Sequence, residues 1–430
     1  MPTTPITATP LAVSNIANMI PNAMELACGS GDETIDAALA FVRVHLGMEV
    51  AYLSEFIGDN LLFRAVSAPG LENLAHVGAT MPLDQVYCRH ILAGRLPELI
   101  PDTADQPMCQ GLALTHAIPI KSHVSVPIRR RDGSVYGMFC CLSRMAKPDL
   151  TQRDLEVMRA FAALSAEQIN DKIAARVTHD TVHGTISDVL AARDFDIMYQ
   201  PIMDAAARRP KGFEALCRFH AQPYRPPNLW FEDAAAVGLQ VDLEICVIEE
   251  ALTALAELPA HVYVSVNASP GTVASGRLGA VFANWPAERI VLEVTEHAMV
   301  ENYDRLLQEL DALRFRGVRL AIDDAGAGYS GLQHIVRLHP DIIKLDMSLT
   351  SGIDADIVRR SLGAALVQFA IEIDAAIVAE GIETEAEFDT LHRLGVPLTQ
   401  GYFLGKPADL KTARAWFAKP EAQQRPARRD

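Results

Sequence analysis

The chain has 430 residues, half of them hydrophobic, and carries a formal net charge of -16. That length exceeds one ordinary core and predicts two domains, each able to bury its own interior. The acidic balance excludes a protein that neutralises a long phosphate backbone, because such binding needs clustered Lys and Arg.

Any nucleotide partner must therefore be small or held through metal, and no nucleic acid polymer is expected. No apolar run reaches the roughly 18 residues needed to cross a bilayer. The first basic residue is Arg43, so the N-terminus lacks the positive flank of a leader. A soluble, cytoplasmic protein without a membrane partner is expected. The seven cysteines, Cys28, Cys88, Cys109, Cys140, Cys141, Cys217 and Cys246, lack the paired spacing of a zinc site or a disulfide scaffold, and read as reduced, mostly buried thiols.

In chain order, residues 1–25 carry Thr and Pro without a long period and read as a loosely ordered arm. Within 26–172 a helix-like start at Thr34–Leu46 leads into strand-like runs at Val50–Ile57 and Leu61–Ala68. Two further runs, His123–Arg130 and Ser134–Ser143, flank Arg131-Asp132-Gly133, whose Asp-Gly pair predicts a hairpin turn. An antiparallel sheet flanked by helices follows. Thr151 to Asp154 reads as a capping box opening an amphipathic helix with Leu155, Met158, Phe161, Ala162 and Ile169 on one face. A second short helical stretch within 173–193 is expected as a linker ending near Arg193.

From 194 to 417 the pattern changes to short apolar strands alternating with helical segments. Eight strands are predicted, at Ile197–Ile202, Phe213–Phe219, Val262–Ala268, Ile290–Thr295, Arg319–Asp324, Ile342–Asp346, Ala376–Glu380 and Thr399–Gly405. Eight such units fit a (βα)8, TIM-like barrel. Only Asp204–Lys211 separate the first two, too few for a parallel crossover, so the first strand should run antiparallel to the second. In helix Val358, Leu362, Ala365, Leu366 and Phe369 the helical spacing predicts packing on the barrel, although a dimer contact could use the same face. The basic tail, 418–430, is expected to be solvated.

Acidic and amide side chains fall in these strands or just past their C-terminal ends, where barrels of this class build active sites. They are Glu214, Asn267, Glu293 with Glu296, Asp323 with Asp324, and Glu380 with Glu383; Lys344 and Gln400 join them. Carboxylates converging at one mouth repel unless cations neutralise them, and hard oxygen donors suit Mg²⁺ or Mn²⁺. A two-metal site fits phosphodiester hydrolysis, because paired ions activate water and stabilise charge on phosphorus oxygens.

The ordered motifs are specific: Gln200-Pro201, Glu214-Ala215-Leu216 with Arg218, VNAS from Val266, EVTE from Glu293, DDAGAGYS from Asp323, KLD from Lys344, EGIE from Glu380 and QGY from Gln400. With them, 194–417 resembles the EAL family of cyclic di-GMP phosphodiesterases. The resemblance implies that Glu214, Asn267, Glu293 and Asp323 hold one metal, and Asp323, Asp324 and Glu380 the other. It further implies that Lys344 orients the attacking water, that Glu380 is a candidate general base, and that Gln200, Leu216, Arg218 and Gln400 face the dinucleotide. Glu296 and Glu383 would orient ligands. The expected product is linear pGpG, and a homodimer is expected. The family loop usually reads DDFGTGYSS; here Ala325, Ala327 and Gly331 replace Phe, Thr and Ser, and Ala235 stands where many members carry Glu.

The sheet pattern of 26–172, the Tyr87–Leu92 segment and the Asp-Gly hairpin resemble a GAF sensory domain of the α+β class, with no ligand assigned. Cys88-Arg89-His90 invites a haem or chromophore reading, but buried core cysteines are the simpler account. The chain is thus expected to be α/β: a GAF-like domain ahead of a modified barrel. A cyclic di-GMP receptor that does not hydrolyse it, and a scaffold acting through the GAF-like domain, are the competing readings. Intact metal ligands together with Lys344 and Glu380 favour the enzyme.

Overall fold

The computed structural model describes residues 31–222, 224–295, 303–325 and 337–418. The chain divides into two compact units, Met1–Val177 and Thr178–Asp430. Among the described residues no helix is long and apolar enough to cross a membrane.

In the first unit the described residues open with helix α1 (Gly31–His45) and strands β1 (Val50–Ile57), β2 (Asn60–Ser67) and β3 (Thr80–Pro82). Helix α2 (Tyr87–Leu92) precedes the two-residue β4 (Leu99–Ile100), then the hairpin of β5 (Ser122–Arg129) and β6 (Val135–Ser143). The antiparallel sheet runs β3-β2-β1-β6-β5-β4, as the alternating runs and the Asp-Gly turn require. Because neighbouring strand residues face opposite sides, Cys140 and Cys141 belong to different cores. Cys141 packs with Leu39 and Val42 of α1 and with Met158 and Phe161 of the exit helix. Cys140 packs on the other face with Tyr87, Cys88 and Ile91 of α2.

The exit helix, α3 (Gln152–Ala192), is one element of 41 residues rather than two stretches. The Asp154 carboxylate accepts from both the amide and the hydroxyl of Thr151 at 2.8 Å, so the acid bonds back to the cap as expected. Residues 171–180 are exposed on every side, which removes the periodicity that would reveal continuity. Arg193, at φ 48, ends the helix in the left-handed region.

In the second unit β7 (Phe195–Asp204), β8 (Arg209–Phe219), β9 (Tyr263–Asn267), β10 (Ile290–Thr295), β11 (Arg319–Ala325), β12 (Ile342–Leu345), β13 (Ala376–Ala379) and β14 (Leu398–Thr399) close into a barrel. As the short gap demands, β7 is antiparallel to β8, and it is antiparallel to β14 as well. Asp204 Oδ1 fixes the reversal by accepting from the amides of Ala206 and Ala207 at 3.0 and 2.8 Å. The eighth strand is shorter than the predicted Thr399–Gly405. Gly401 approaches Ile382 so closely that a Cβ there would lie 2.2 Å from its backbone, and the chain turns away after Thr399.

Side-chain alternation layers the barrel interior. Ile202, Tyr263, Val291, Ala321, Ile342 and Val378 form an apolar floor. One inward position further along, most strands place a polar residue. The outward positions, such as Phe213, Val264, Leu292, Ile343 and Ile377, pack against the surrounding helices. Helix α4 (Ile357–Glu372) packs through Gly363, Val367 and Ala370, with Leu366 and Phe369 half-buried. Val358 and Leu362, predicted to pack, are 71% and 48% exposed. Ala365 is also exposed. Apolar residues occur all round this helix, so spacing alone does not select the buried face.

Candidate active site

Above the apolar floor, the Lys344 ammonium sits almost fully buried among four carboxylates. Its Nζ lies 2.7 Å from Glu293 Oε2, 2.7 Å from Glu380 Oε1, 3.0 Å from Asp323 Oδ1 and 3.6 Å from Glu214 Oε1. The strands dictate this meeting. Glu293, Asp323 and Lys344 are inward residues of adjacent parallel strands, and Glu380 is the first residue past β13. Burial opposes the charge on Lys344, but the surrounding carboxylates outweigh it and hold its pKa well above the ordinary value. Burial pushes the carboxyls the other way: Glu293 rises well above the usual range and Glu380 rises to about 8, with neighbouring carboxylates adding to both.

Hydrogen bonds from neighbouring side-chain amides orient Glu214. Gln400 Nε2 donates to Glu214 Oε2 at 2.6 Å and to Gln200 Oε1 at 3.2 Å, while Asn267 Nδ2 donates to Glu214 Oε1 at 3.2 Å. Gln200 Nε2 in turn donates to the carbonyl of Gly405 at 3.3 Å. Arg218 donates to the carbonyl of Cys217 at 2.7 Å. Arg218 and Leu216 lie beside a cavity of about 350 Å³ that Asn228, Phe231, Glu244 and Asn267 also line. Glu383 is exposed. Glu296 and the side chain of Asp324 lie outside the described residues, as do Ala327 and Gly331.

Three residues escaped the sequence reading. Ser265, fully buried and two residues before Asn267 on β9, donates its hydroxyl to Glu293 Oε1 in a short hydrogen bond. Glu244 accepts from the amide and hydroxyl of Ser269 at 2.8 and 3.0 Å, tying down the chain just after Asn267. Glu387 accepts from the amides of Gly352, Glu383 and Thr384 at 2.7, 3.0 and 3.0 Å, fixing the loop beyond Glu380. Only the last had a legible signal, the Thr384-x-x-Glu387 capping box.

The donor set fits divalent cations. Oxygens of Glu214, Glu293 and Asp323 lie within 4.8 Å of one another. With Glu380 they bring four carboxylates to one ammonium, leaving an excess of three negative charges when all are ionised. Buried charge of that kind is costly unless it is protonated or meets hard cations. Asn267 spends its amide nitrogen on Glu214, so its carbonyl oxygen is the atom left to ligate.

A polar layer at the strand ends of a barrel with a reversed first strand defines a class, and the family comparison agrees. The EAL domain model matches residues 183–407 and the GAF domain model residues 30–169. The chain belongs to the EAL domain family, with a GAF domain ahead of the barrel. It is 30% identical over 249 residues to "Probable cyclic di-GMP phosphodiesterase PdeD" of Escherichia coli (strain K12), covering 56% of this chain and 46% of that protein. Over 342 residues it is 29% identical to the cyclic di-GMP phosphodiesterase NbdA of Pseudomonas aeruginosa, covering 76% of this chain and 42% of that one. The chain thus spans under half the length of either curated relative. The solved EAL enzyme Bd1971, with cAMP and cyclic di-GMP bound, matches 86% of this chain and 93% of its own at 17% identity and a TM-score of 0.53, a likeness of fold alone.

Proposed function

We propose that the barrel hydrolyses cyclic di-GMP to linear pGpG with two divalent ions, Mg²⁺ or Mn²⁺, and that the GAF domain regulates it within a cytoplasmic homodimer. The observation that carries this reading is the ring of Glu214, Glu293, Asp323 and Glu380 around the buried Lys344, whose negative charge exceeds what one ammonium neutralises. Glu214, Asn267, Glu293 and Asp323 would hold one ion, and Asp323, Asp324 and Glu380 the other. Bound there, the ions would acidify a water and offset charge on the phosphorus oxygens.

The chain's own residues account for the remaining chemistry. The Lys344 ammonium orients the attacking water and faces the charge that develops at phosphorus. Glu380, whose carboxylate lies 2.7 Å from the Lys344 ammonium, is the candidate to accept a proton from that water. As the new P–O bond forms, the bond from phosphorus to the ribose 3′ oxygen breaks, and that oxygen leaves protonated. Arg218 contacts a phosphate, Gln200 and Leu216 the dinucleotide, and Gln400 the water network. Glu383 and Glu296 remain candidates for orienting ligands.

The test is pGpG formation by the full chain in Mg²⁺, in Mn²⁺ and in excess chelator. Turnover in either metal and none in chelator is expected. Tight binding of cyclic di-GMP without pGpG in either metal would leave a receptor in its place.

A further inference from the structure

The GAF unit holds a second buried cluster that the barrel chemistry does not use. Strand register sets Tyr52 and Ser125 directly opposite Cys140, on the two strands that flank it. Directly opposed residues share a face, so their side chains form a row across three central strands. Helix α2 lays Cys88 onto that row. Cys88 Sγ lies 3.8 Å from Cys140 Sγ and 4.0 Å from the Tyr52 hydroxyl, and the Ser125 hydroxyl lies 3.2 Å from Cys140 Sγ. Both thiols are fully buried.

We propose that Cys88 and Cys140 are a modification site, a thiol pair that a small neutral peroxide oxidises to an intramolecular disulfide. A disulfide requires its sulfurs at about 2.05 Å, so the pair must close by roughly 1.8 Å, shared between two side chains already in contact. Hydrogen bonding from Cys140, against the opposing effect of burial, holds the Cys88 thiol below its ordinary range, whereas burial pushes Cys140 well above it. Cys88 is assigned the attacking role and Cys140, hydrogen-bonded to the Ser125 hydroxyl, the resolving one. Tyr52 also lines an apolar cavity of about 30 Å³ with Phe63, Leu114 and Ile118. That is room for a molecule of two heavy atoms.

The step balances. Cys88 sulfur attacks one peroxide oxygen, the O–O bond breaks and, with a proton, one water leaves a sulfenic acid. Cys140 sulfur then attacks the sulfenic sulfur, the S–O bond breaks and a second water leaves. Two thiols are oxidised by two electrons and one peroxide is reduced to two waters. The bond pins α2 to β6. A dithiol reductant reverses it by exchange.

Cys141 supplies an internal control. It is the next residue on β6, equally buried, but it faces the other core, where its sulfur meets Met158 Sδ at 3.8 Å. The experiment treats the full native chain with hydrogen peroxide, quenches with an alkylating agent in denaturant and maps the peptides by mass spectrometry. A linked Cys88–Cys140 peptide, lighter by two hydrogens and restored by dithiothreitol, is expected to form at least ten times faster than any oxidation of Cys141. In Cys140→Ser, a sulfenic acid trapped by dimedone at Cys88 is expected instead. The proposal is overturned if both thiols remain alkylated at peroxide doses that oxidise half-buried Cys246, or if either links to another cysteine. The wild-type map decides even if the variant does not fold.

Discussion

Both units bury polar side chains in the middle of a sheet, yet they balance them in opposite ways. In the GAF core Tyr52, Cys88, Ser125 and Cys140 are neutral in their ordinary forms and satisfy one another. At the barrel mouth four carboxylates face one ammonium. Neutral, mutually bonded groups cost a folded core little, whereas an excess of like charge is tolerated only for what it binds. The contrast separates a polar layer whose donor set suits a cation from one that is complete without it.

The sharpest break of that comparison is Asp323→Asn, which keeps shape and removes one charge. We expect pGpG formation to fall by roughly 10³-fold, since the group serves both proposed ions. In chelator the same variant should melt no lower than wild type and up to about 4 °C higher, because like-charge repulsion is relieved. Lost stability together with unchanged turnover would reverse the assignment.

Close backbone approach sharpens the comparison next. Gly401→Ala drives a Cβ into the Ile382 backbone, and Gly137→Ala drives one to 1.8 Å from the carbonyl oxygen of Ser54. Each should cost about 3 kcal/mol or more. Calorimetry should show the first lowering the transition of the barrel unit and the second that of the GAF unit. A common shift of both transitions would mean that the units unfold as one.

A smaller effect is expected from Ser265→Ala, which frees Glu293 on one side. Support of this kind typically changes metal affinity by about 10-fold to 100-fold, so the concentration of Mn²⁺ for half-maximal activity should rise while the fold is kept. An unchanged metal requirement would make Ser265 a filler of the core.

The smallest concerns acid. Glu49 accepts from the Arg144 side chain at 2.7 Å, from the Arg144 amide at 2.7 Å and from the Ser143 hydroxyl at 3.1 Å. The Arg144 side-chain bond above all lowers its pKa from 4.5 to about 2. A depressed carboxyl contributes stability that is fully present above its unfolded value and lost as pH falls through its folded one. Glu49→Gln should therefore weaken the GAF unit slightly at neutral pH and approach wild type as pH falls below about 2. Exposure and salt screening keep the difference small. A gap that widened on acidification would contradict the pairing.

Much of this was legible in the sequence, for physical reasons. Inward and outward residues alternate so regularly in β8 to β13 that the acids declared their layer, and the gap after Asp204 declared the reversed strand. Other features left no trace. The middle of α3 has no buried side to give it a period. Thr399–Gly405 has the aromatic content of a strand, but Gln400 and Phe403 bond the Ile382 backbone, and the Gly401 carbonyl accepts from the amides of Leu404 and Gly405 in a turn. Ser265 is an ordinary strand residue until Glu293 is seen beside it.

The reversed β7 also decides where the barrel is joined. Across the closing seam, Leu398 and Thr399 of β14 pair with Asp204 and Met203 of β7. Further along, Tyr199 and Ala408 exchange both backbone bonds, at 2.7 and 3.1 Å, with the turn at Gly401 between the two stitches. The ring of strands is therefore closed by two residue pairs and one bridge, while β7 and β8 form a hairpin close in sequence. A closure with so few bonds opens locally at small free-energy cost. Amide exchange at Tyr199, Thr399 and Ala408 should outpace that at β9 to β12. The polar layer beside Gln200 and Gln400 would then breathe from one side only.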